Sequence, residues 1–189
     1  MADPAAARLN MVESQVRTQD VTDVRIHDAM REIPRERFMP EGKAYLAYAD
    51  VEAAYAPGRW LLRPRDVAKL VNALRPMPGE RALAIAAPYA AAVVERLGLP
   101  VARLEGDDLT ALPAGTFDVI VVEGAVGRAP DAWIAALATG GRLGVVERDG
   151  VVGQAVLYLR SDDGVGRRVL FDAFPPLLAG FEPHHGFAL

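Results

Sequence analysis

The sequence contains no cysteine. That absence excludes disulfide bonds, thiolate nucleophiles and cysteine-ligated zinc. Histidine is scarce as well, since only His27, His184 and His185 occur in 189 residues. Adjacent histidines rarely share one ion, and no second cluster of ligands accompanies this pair. We therefore predict no metal site and expect all three histidines at the surface.

The sequence also lacks an excess of positive charge and a long apolar run. Lys and Arg number 21 against 25 Asp and Glu, which gives a net charge of -4 and a pI near 5.4. This balance is not typical of a protein that binds nucleic acid or an anionic membrane. No apolar run approaches the roughly 20 residues of a membrane span. The opening MADPAAARLNMVES has no signal-peptide pattern, so we expect a cytoplasmic protein.

Against these absences, the composition is typical of a globular protein, with 51% hydrophobic and 24% charged residues. A chain of this length is expected to build one sizeable core. We predict a single domain over residues 1–189. Residues 1–78 would form a helical lead-in packed on a sheet, and residues 79–189 an α/β core.

Helices dominate the predicted lead-in. Apolar spacing predicts helices at 5–17, at 24–33 after a capping Thr22, and at 65–75. Pro34 ends the second of these helices, and Pro57-Gly58 marks a turn in an otherwise irregular stretch. The lead-in is therefore expected to contain no strand.

From residue 79 onward, short apolar runs alternate with amphipathic stretches. The predicted strands are 82–86, 101–105, 117–123, 142–147, 154–160 and 167–174, and helices are predicted at 89–97 and from Pro130 to Gly140-Gly141. The nearly continuous apolar run FDVIVVE is typical of a central parallel strand. The short connection SDDGVG predicts an antiparallel final pair. The pattern indicates a doubly wound, Rossmann-like α/β sheet, mostly parallel, with an antiparallel C-terminal hairpin.

One strand-to-helix turn lies in RALAIAAPYAAAVVERLG, where nucleotide-type cofactors are often held by glycines. Glycine permits positive φ and a close approach of ligand to backbone. Here the turn consists of Ala86, Ala87 and Pro88. Alanine methyl groups obstruct that approach, and Pro88 removes an N–H group at the helix N-terminus. The plainer interpretation is a tight turn with proline at the start of a helix.

Several stretches of the chain resemble one enzyme family. MVESQVRTQDVTDVRIHDAMREIPRERFMP is similar to the N-terminal segment of protein-L-isoaspartate O-methyltransferases, especially the alphaproteobacterial type. GRWLLRPRDVAKLVNALRPMPGERALAI, LPAGTFDVIVVEGAV, LATGGRLGVVE and RRVLFDAFPPLLAGF resemble later stretches of that family. The resemblance covers nearly the whole chain. It implies a seven-stranded sheet and S-adenosylmethionine-dependent esterification of isoaspartyl carboxylates in damaged proteins, a reaction that depends chiefly on positioning.

The chain departs from this family at the cofactor loop. In the family the strand ends in an acidic residue and an apolar one, followed by Gly-x-Gly-x-Gly. Here Ala84 stands at the acidic position, and Ala86, Ala87 and Pro88 replace the glycines. The resemblance therefore implies an eroded loop that has lost or weakened its grip on S-adenosylmethionine.

A second departure follows Glu105. Only GDDLTALPAGT separates it from Phe117, which is too short for the helix and strand expected there. We therefore expect one βα unit fewer than in the family fold. Two assignments stay open: Glu105 occupies the ribose-binding place, or Gly106 and Asp107 match a Gly-Asp pair that approaches the adenine. The plainer interpretation makes Glu105 and Asp107 solvated acids at a strand end.

The segment that places the substrate is altered too. Relatives carry a hydroxyl residue just before the helix at 65–75, where this chain has Leu62. Arg63 could pair with a substrate carboxylate because a guanidinium suits bidentate recognition. An arginine beside Arg59 and Arg65 is more often simply solvated.

Three hypotheses about function remain. We favour a family member that is catalytically impaired, holds no cofactor and is retained as a binding protein with a possible protein partner. The alternative is an active methyltransferase that uses S-adenosylmethionine through a remodelled loop, and a third is a Rossmann-like protein with another small ligand. The sequence identifies no catalytic residue. An exposed apolar patch at residues 60–62 would favour a partner, whereas burial would make those residues a plug.

Overall fold

The structure, a computed structural model, describes residues 3–183 and contains a six-stranded sheet. The strand order is β4-β3-β5-β6-β7-β8. The strands are β3 (Ala82–Ile85), β4 (Val101–Leu104), β5 (Phe117–Val126), β6 (Leu137–Asp149), β7 (Val152–Ser161) and β8 (Gly164–Asp172). All six coincide with predicted strands, and the α/β class is confirmed.

Strand directions follow the prediction as well. Neighbours among β4, β3, β5 and β6 pair in parallel, whereas β7 runs antiparallel to β6 and β8 antiparallel to β7. The antiparallel tail is thus confirmed and includes one strand pair more than predicted. Residues 105–116, which connect β4 to β5, form neither helix nor strand, as expected from their length.

Two helices accompany the core strands. Helix α4 (Pro88–Arg96) follows β3, and α5 (Asp131–Ala135) precedes β6. The predicted helix from Pro130 to Gly140-Gly141 is wrong in length, because β6 already begins at Leu137. The short α5 is anchored by the buried Trp133, whose indole N–H donates to the Leu109 carbonyl oxygen at 2.7 Å.

The lead-in helices lie close to their predicted positions. They are α1 (Pro4–Met11), continued by a π-helical turn (Val12–Val16), α2 (Val24–Glu32) and α3 (Pro64–Leu74), with 3₁₀ turns at Arg35–Phe38 and Ala44–Leu46. The predicted cap of α2 is wrong: Asp23 Oδ1 accepts from the Arg25 N–H at 3.0 Å. An N-cap side chain bonds the N–H two or three residues later, so Thr22 lies one position too early. No helix among residues 3–183 is long and apolar enough to cross a membrane.

A two-stranded hairpin interrupts the lead-in where no strand was expected. Strands β1 (Ala53–Ala56) and β2 (Arg59–Leu61) pair antiparallel around the predicted Pro57-Gly58 turn. Gly58 has a φ of +64°, a conformation that glycine adopts without strain. The strands contain four and three residues, too few for an alternating pattern to identify them.

The sheet separates two apolar clusters. On one face, sheet residues such as Val119 and Val121 pack with α4 and with the lead-in helices, which include α3. On the other face, Ile120 and Val122 pack with Trp133 of α5. Alternate residues of β5 therefore face opposite clusters, which explains why the strand is apolar along its length. The lead-in lies on the first face, and β2 contacts β5.

Candidate functional site

The candidate site is the crevice at the carboxyl ends of β3, β4 and β5, where open α/β sheets bind ligands. The turn Ala86–Pro88 follows β3, and Glu105 follows β4 directly. The pairing of Ile85 with Val122 places Glu123 of β5 next to this turn. The fold thus brings the predicted loop and Glu105 to one place, together with Glu123, a residue that the sequence did not single out.

The turn has a glycine-like backbone without glycine. Ala86 has a φ of +47°, in the left-handed region that an L-residue adopts at a cost of about 1–2 kcal/mol. Its N–H donates to the Leu104 carbonyl oxygen at 2.9 Å. Ala86 and Ala87 both have 0% exposed surface, and α4 begins at Pro88. The methyl groups are therefore packed inside the protein and leave no open space against the turn.

Glu123 is a fully buried carboxyl group. Burial raises its pKa to about 8, against the lowering effects of Arg35 and of the N–H groups of Tyr89 and Ala90. Among residues 3–183, none donates a hydrogen bond of normal geometry to either carboxylate oxygen. Glu123 belongs to the candidate site because the strand register sets it beside Ala86 and its side chain is buried there. The only signal in the sequence was an acid within a strongly apolar stretch.

Arg35 lies beside this carboxyl group and is also fully buried. Its Nη2 donates to the Leu62 carbonyl oxygen at 2.6 Å, and its Cζ lies 4.6 Å from the centre of the Tyr89 ring. Burial lowers the pKa of this guanidinium. Within the described chain its Nε and Nη1 have no acceptor, and the Tyr89 hydroxyl has no partner. Arg35 thus links the lead-in, the Leu62 backbone and the first turn of α4.

At the other side of the crevice, the β1–β2 hairpin is bound to the end of β4. The Tyr55 hydroxyl donates to Glu105 Oε2 at 2.9 Å, and Arg59 Nη2 donates to the Gly106 carbonyl oxygen at 2.9 Å. Glu105 is exposed to solvent on part of its surface, and the desolvation of the rest raises its pKa, while the bond from Tyr55 opposes that shift. Asp107 is exposed. Glu105 is therefore engaged by the protein's own hydroxyl group.

The altered substrate segment is folded into the protein. Leu61 and Leu62 are buried, and Trp60 is half-buried. Arg63 pairs through Nε with Glu52 Oε1 at 2.8 Å. Residues 60–62 therefore form no exposed apolar patch. Their burial matches the alternative in which these side chains only fill space and no partner is needed to cover them.

The histidines differ from expectation. His27 is buried, and its Nε2 lies 2.9 Å from the Val21 carbonyl oxygen. The surface prediction is wrong for His27 because the loop before α2 folds back over the helix and supplies this partner. His184 and His185 lie outside the described residues. No group of His, Asp or Glu suited to a metal ion occurs within residues 3–183.

Two solved structures share this fold. A protein-L-isoaspartate O-methyltransferase from Plasmodium falciparum, in complex with S-adenosyl-L-homocysteine, has a TM-score of 0.72 at 16% identity and covers 90% of this chain and 97% of that one. A second protein-L-isoaspartate O-methyltransferase has a TM-score of 0.74 at 21% identity, covering 92% of this chain and 66% of that one. Identities this low establish the fold alone.

Sequence comparison identifies the family. The family model for protein-L-isoaspartate (D-aspartate) O-methyltransferases matches residues 7–104. A protein-L-isoaspartate O-methyltransferase of Methylorubrum extorquens is 34% identical, with 94% of this chain and 91% of that protein covered. Its namesake from Azoarcus is 35% identical, with 93% and 94% covered. Together with the fold, these similarities mean that the chain belongs to the protein-L-isoaspartate O-methyltransferase family.

Proposed function

We propose that this family member does not hold S-adenosylmethionine in its crevice and acts as a non-catalytic protein that binds polypeptides. One observation carries the proposal. Ala86, Ala87 and Glu123 have 0% exposed surface, so the turn that would contact a cofactor is closed by the protein itself.

The residues of the crevice do not fit the cofactor in three respects. Buried alanine methyl groups occupy the positions where a ligand would approach the backbone. The α4 N-terminus, a common site for a ligand anion, already faces Glu123. Glu105, the acid suited to ribose hydroxyls, accepts instead from Tyr55. On the substrate side, Arg63 is paired with Glu52.

The first test is a ligand titration followed by thermal unfolding. Up to millimolar S-adenosylmethionine or S-adenosyl-L-homocysteine, we expect no change in Tm. A ligand at 100 times its Kd would stabilise the fold by ~2.7 kcal/mol, or roughly 5–10 °C for a chain of this size. The Methylorubrum extorquens relative serves as the positive control. A saturable rise in the Tm of this chain would overturn the proposal.

An active methyltransferase is the second candidate, and the relatives favour it. Proteins more than 30% identical over most of this chain are named for that activity, and Glu105 stands at the end of the strand next to β3. In that case the hairpin would open and Tyr55 would release Glu105 before a cofactor entered. The same titration separates the candidates, because an active enzyme must bind the cofactor.

The binding surface that we propose lies between β1 and the loop that contains Pro40 and Lys43. A cleft of about 360 Å³ is lined there by Pro40, Lys43, Ala54, Tyr55, Ala56 and Pro57. Tyr45, two residues after Lys43, is 77% exposed. Lys43 supplies a positive charge that would attract an acidic group, such as the carboxylate of an isoaspartyl residue. This surface remains available when the crevice is closed.

Peptide binding can be measured by fluorescence anisotropy with labelled peptides that contain aspartyl or isoaspartyl residues. We expect the double variant K43E/Y45A to weaken binding of the isoaspartyl peptide at least about tenfold, since about 1.4 kcal/mol corresponds to that factor. Met77, exposed on the loop after α3, provides the matched control M77A. Equal affinities for all three proteins would contradict the proposed surface.

A further inference from the structure

We propose that the Glu123 carboxyl group is a built-in substitute for a ligand carboxylate, held at the N-terminus of α4 from inside the protein. The inference rests on the proposed function and deepens it, because it names the group that occupies the closed crevice. Three buried polar groups carry it: Glu123 on β5, Arg35 in the lead-in and the start of α4.

The start of α4 lacks a cap of its own. Its first intrahelical bond runs from the Ala91 N–H to the Ala87 carbonyl oxygen at 2.9 Å, and the Ala87 side chain offers no acceptor. The N–H groups of Tyr89 and Ala90 are therefore left without helical partners. The pairing of Ile85 with Val122 sets Glu123 beside the turn that precedes α4, and these two N–H groups lower its pKa. A carboxyl group from another strand thus lies where a bound carboxylate would lie.

Arg35 provides an independent reason to assign a ligand-like role to this carboxyl group. A fully buried guanidinium is costly unless a negative group lies near it. Of its nitrogens, Nη2 has the Leu62 carbonyl oxygen, whereas Nε and Nη1 have no acceptor within residues 3–183. Tyr89, Glu123 and Tyr48 act electrostatically on Arg35, and Glu123 is the carboxyl group among them. Arg35, the Tyr89 hydroxyl and the α4 N-terminus thus leave unpaired donors around the Glu123 carboxyl group.

An ordinary role in the core does not account for Glu123. Val119 and Val121 precede it on the same face of β5, and both pack in the apolar cluster. Buried carboxyl groups that serve the fold normally have hydrogen bonds to both oxygens. Here both oxygens lack one within the described chain. A residue chosen only for packing at this position would be apolar.

The test replaces the internal carboxyl group by an external one. The variant E123A leaves a hole next to Arg35, Tyr89 and the start of α4, and we expect formate or acetate to fill it. Acetate should raise the Tm of E123A in a saturable manner at pH 6–7 and leave the wild-type Tm unchanged. Sodium chloride at equal ionic strength controls for salt. V121A supplies a smaller hole two residues earlier on the same face, within the apolar cluster.

The outcomes are distinct. A response confined to E123A, and abolished in E123A/R35M, supports the proposal. No response, or equal responses of E123A and V121A, overturns it. If E123A does not fold, the double-mutant cycle of E123Q and R35M at pH 9 replaces it, and additive effects on stability would then refute the coupling. Because acetate binding by E123A is independent of S-adenosylmethionine, the wild-type titration can fail or succeed separately.

Discussion

The variant E123Q should be more stable than the wild-type protein at pH 9 and nearly equal to it at pH 4. The reason is the pKa of Glu123, which burial raises from 4.5 to about 8 in the folded protein. A raised pKa contributes stability that is complete below pH 4.5 and is lost as the pH rises through 8. Glutamine has the same shape and does not ionise. The free energy of unfolding of E123Q should therefore lack this loss, which is on the order of 5 kcal/mol.

Chemical denaturation at several pH values measures this difference. The groups whose charges act on Glu123 include Arg35 on the lead-in and Glu105 at the end of β4, and both stay in place in E123Q. Asp66 provides a matched control, since burial raises its pKa from 3.8 to only about 6. The difference in free energy of unfolding between D66N and wild type should stop growing near pH 6, whereas the difference between E123Q and wild type should grow up to about pH 8. Parallel curves for E123Q and wild type would contradict a buried neutral carboxyl group.

The same residue illustrates what sequence reasoning could not find. FDVIVVE was correctly predicted as a central strand, because an uninterrupted apolar run has few alternatives in an α/β fold. A glutamate after such a run is ordinarily the acid that ends a strand in solvent. Instead β5 continues to Val126, and Glu123 lies inside it with no exposed surface. Its environment comes from α4 and the lead-in, which are distant in sequence.

Long-range contacts also explain why the closed crevice was only half predicted. The loss of glycines at residues 86–88 was visible in the sequence and indicated an altered site. What closes that site is the hairpin, whose Tyr55 reaches Glu105 fifty positions later. Periodicity carries no information about such pairs, and the strands of the hairpin are too short to have one. Arg35 was missed for the same reason, since a charged residue in RERF is expected in solvent.

Removing Arg35 should produce a loss of stability that grows with pH. In R35M the Leu62 carbonyl oxygen loses its donor and Tyr89 loses the cation above its ring. At pH 5, where Glu123 is neutral, these losses should cost about 1–3 kcal/mol. Arg35 lowers the pKa of Glu123, so its removal raises that pKa further above 8. At pH 9 R35M must either bury an ionised carboxylate without its cation or keep the carboxyl group protonated against the solution pH, and the cost should reach about 3–5 kcal/mol.

The control for R35M is R37M, because Arg37 lies in the same 3₁₀ turn and is exposed. We expect R37M to unfold like the wild-type protein at both pH values, since exposed charges contribute little. The carboxyl ¹³C resonance of Glu123 should titrate at a higher pH in R35M than in wild type or R37M. If R35M costs the same at pH 5 and pH 9, Arg35 only fills space. A cost that grows with pH would instead identify Arg35 as the cation that stabilises an ionised carboxyl group at the start of α4. Any carboxylate at that position, whether it belongs to the protein or to a bound ligand, requires such a cation.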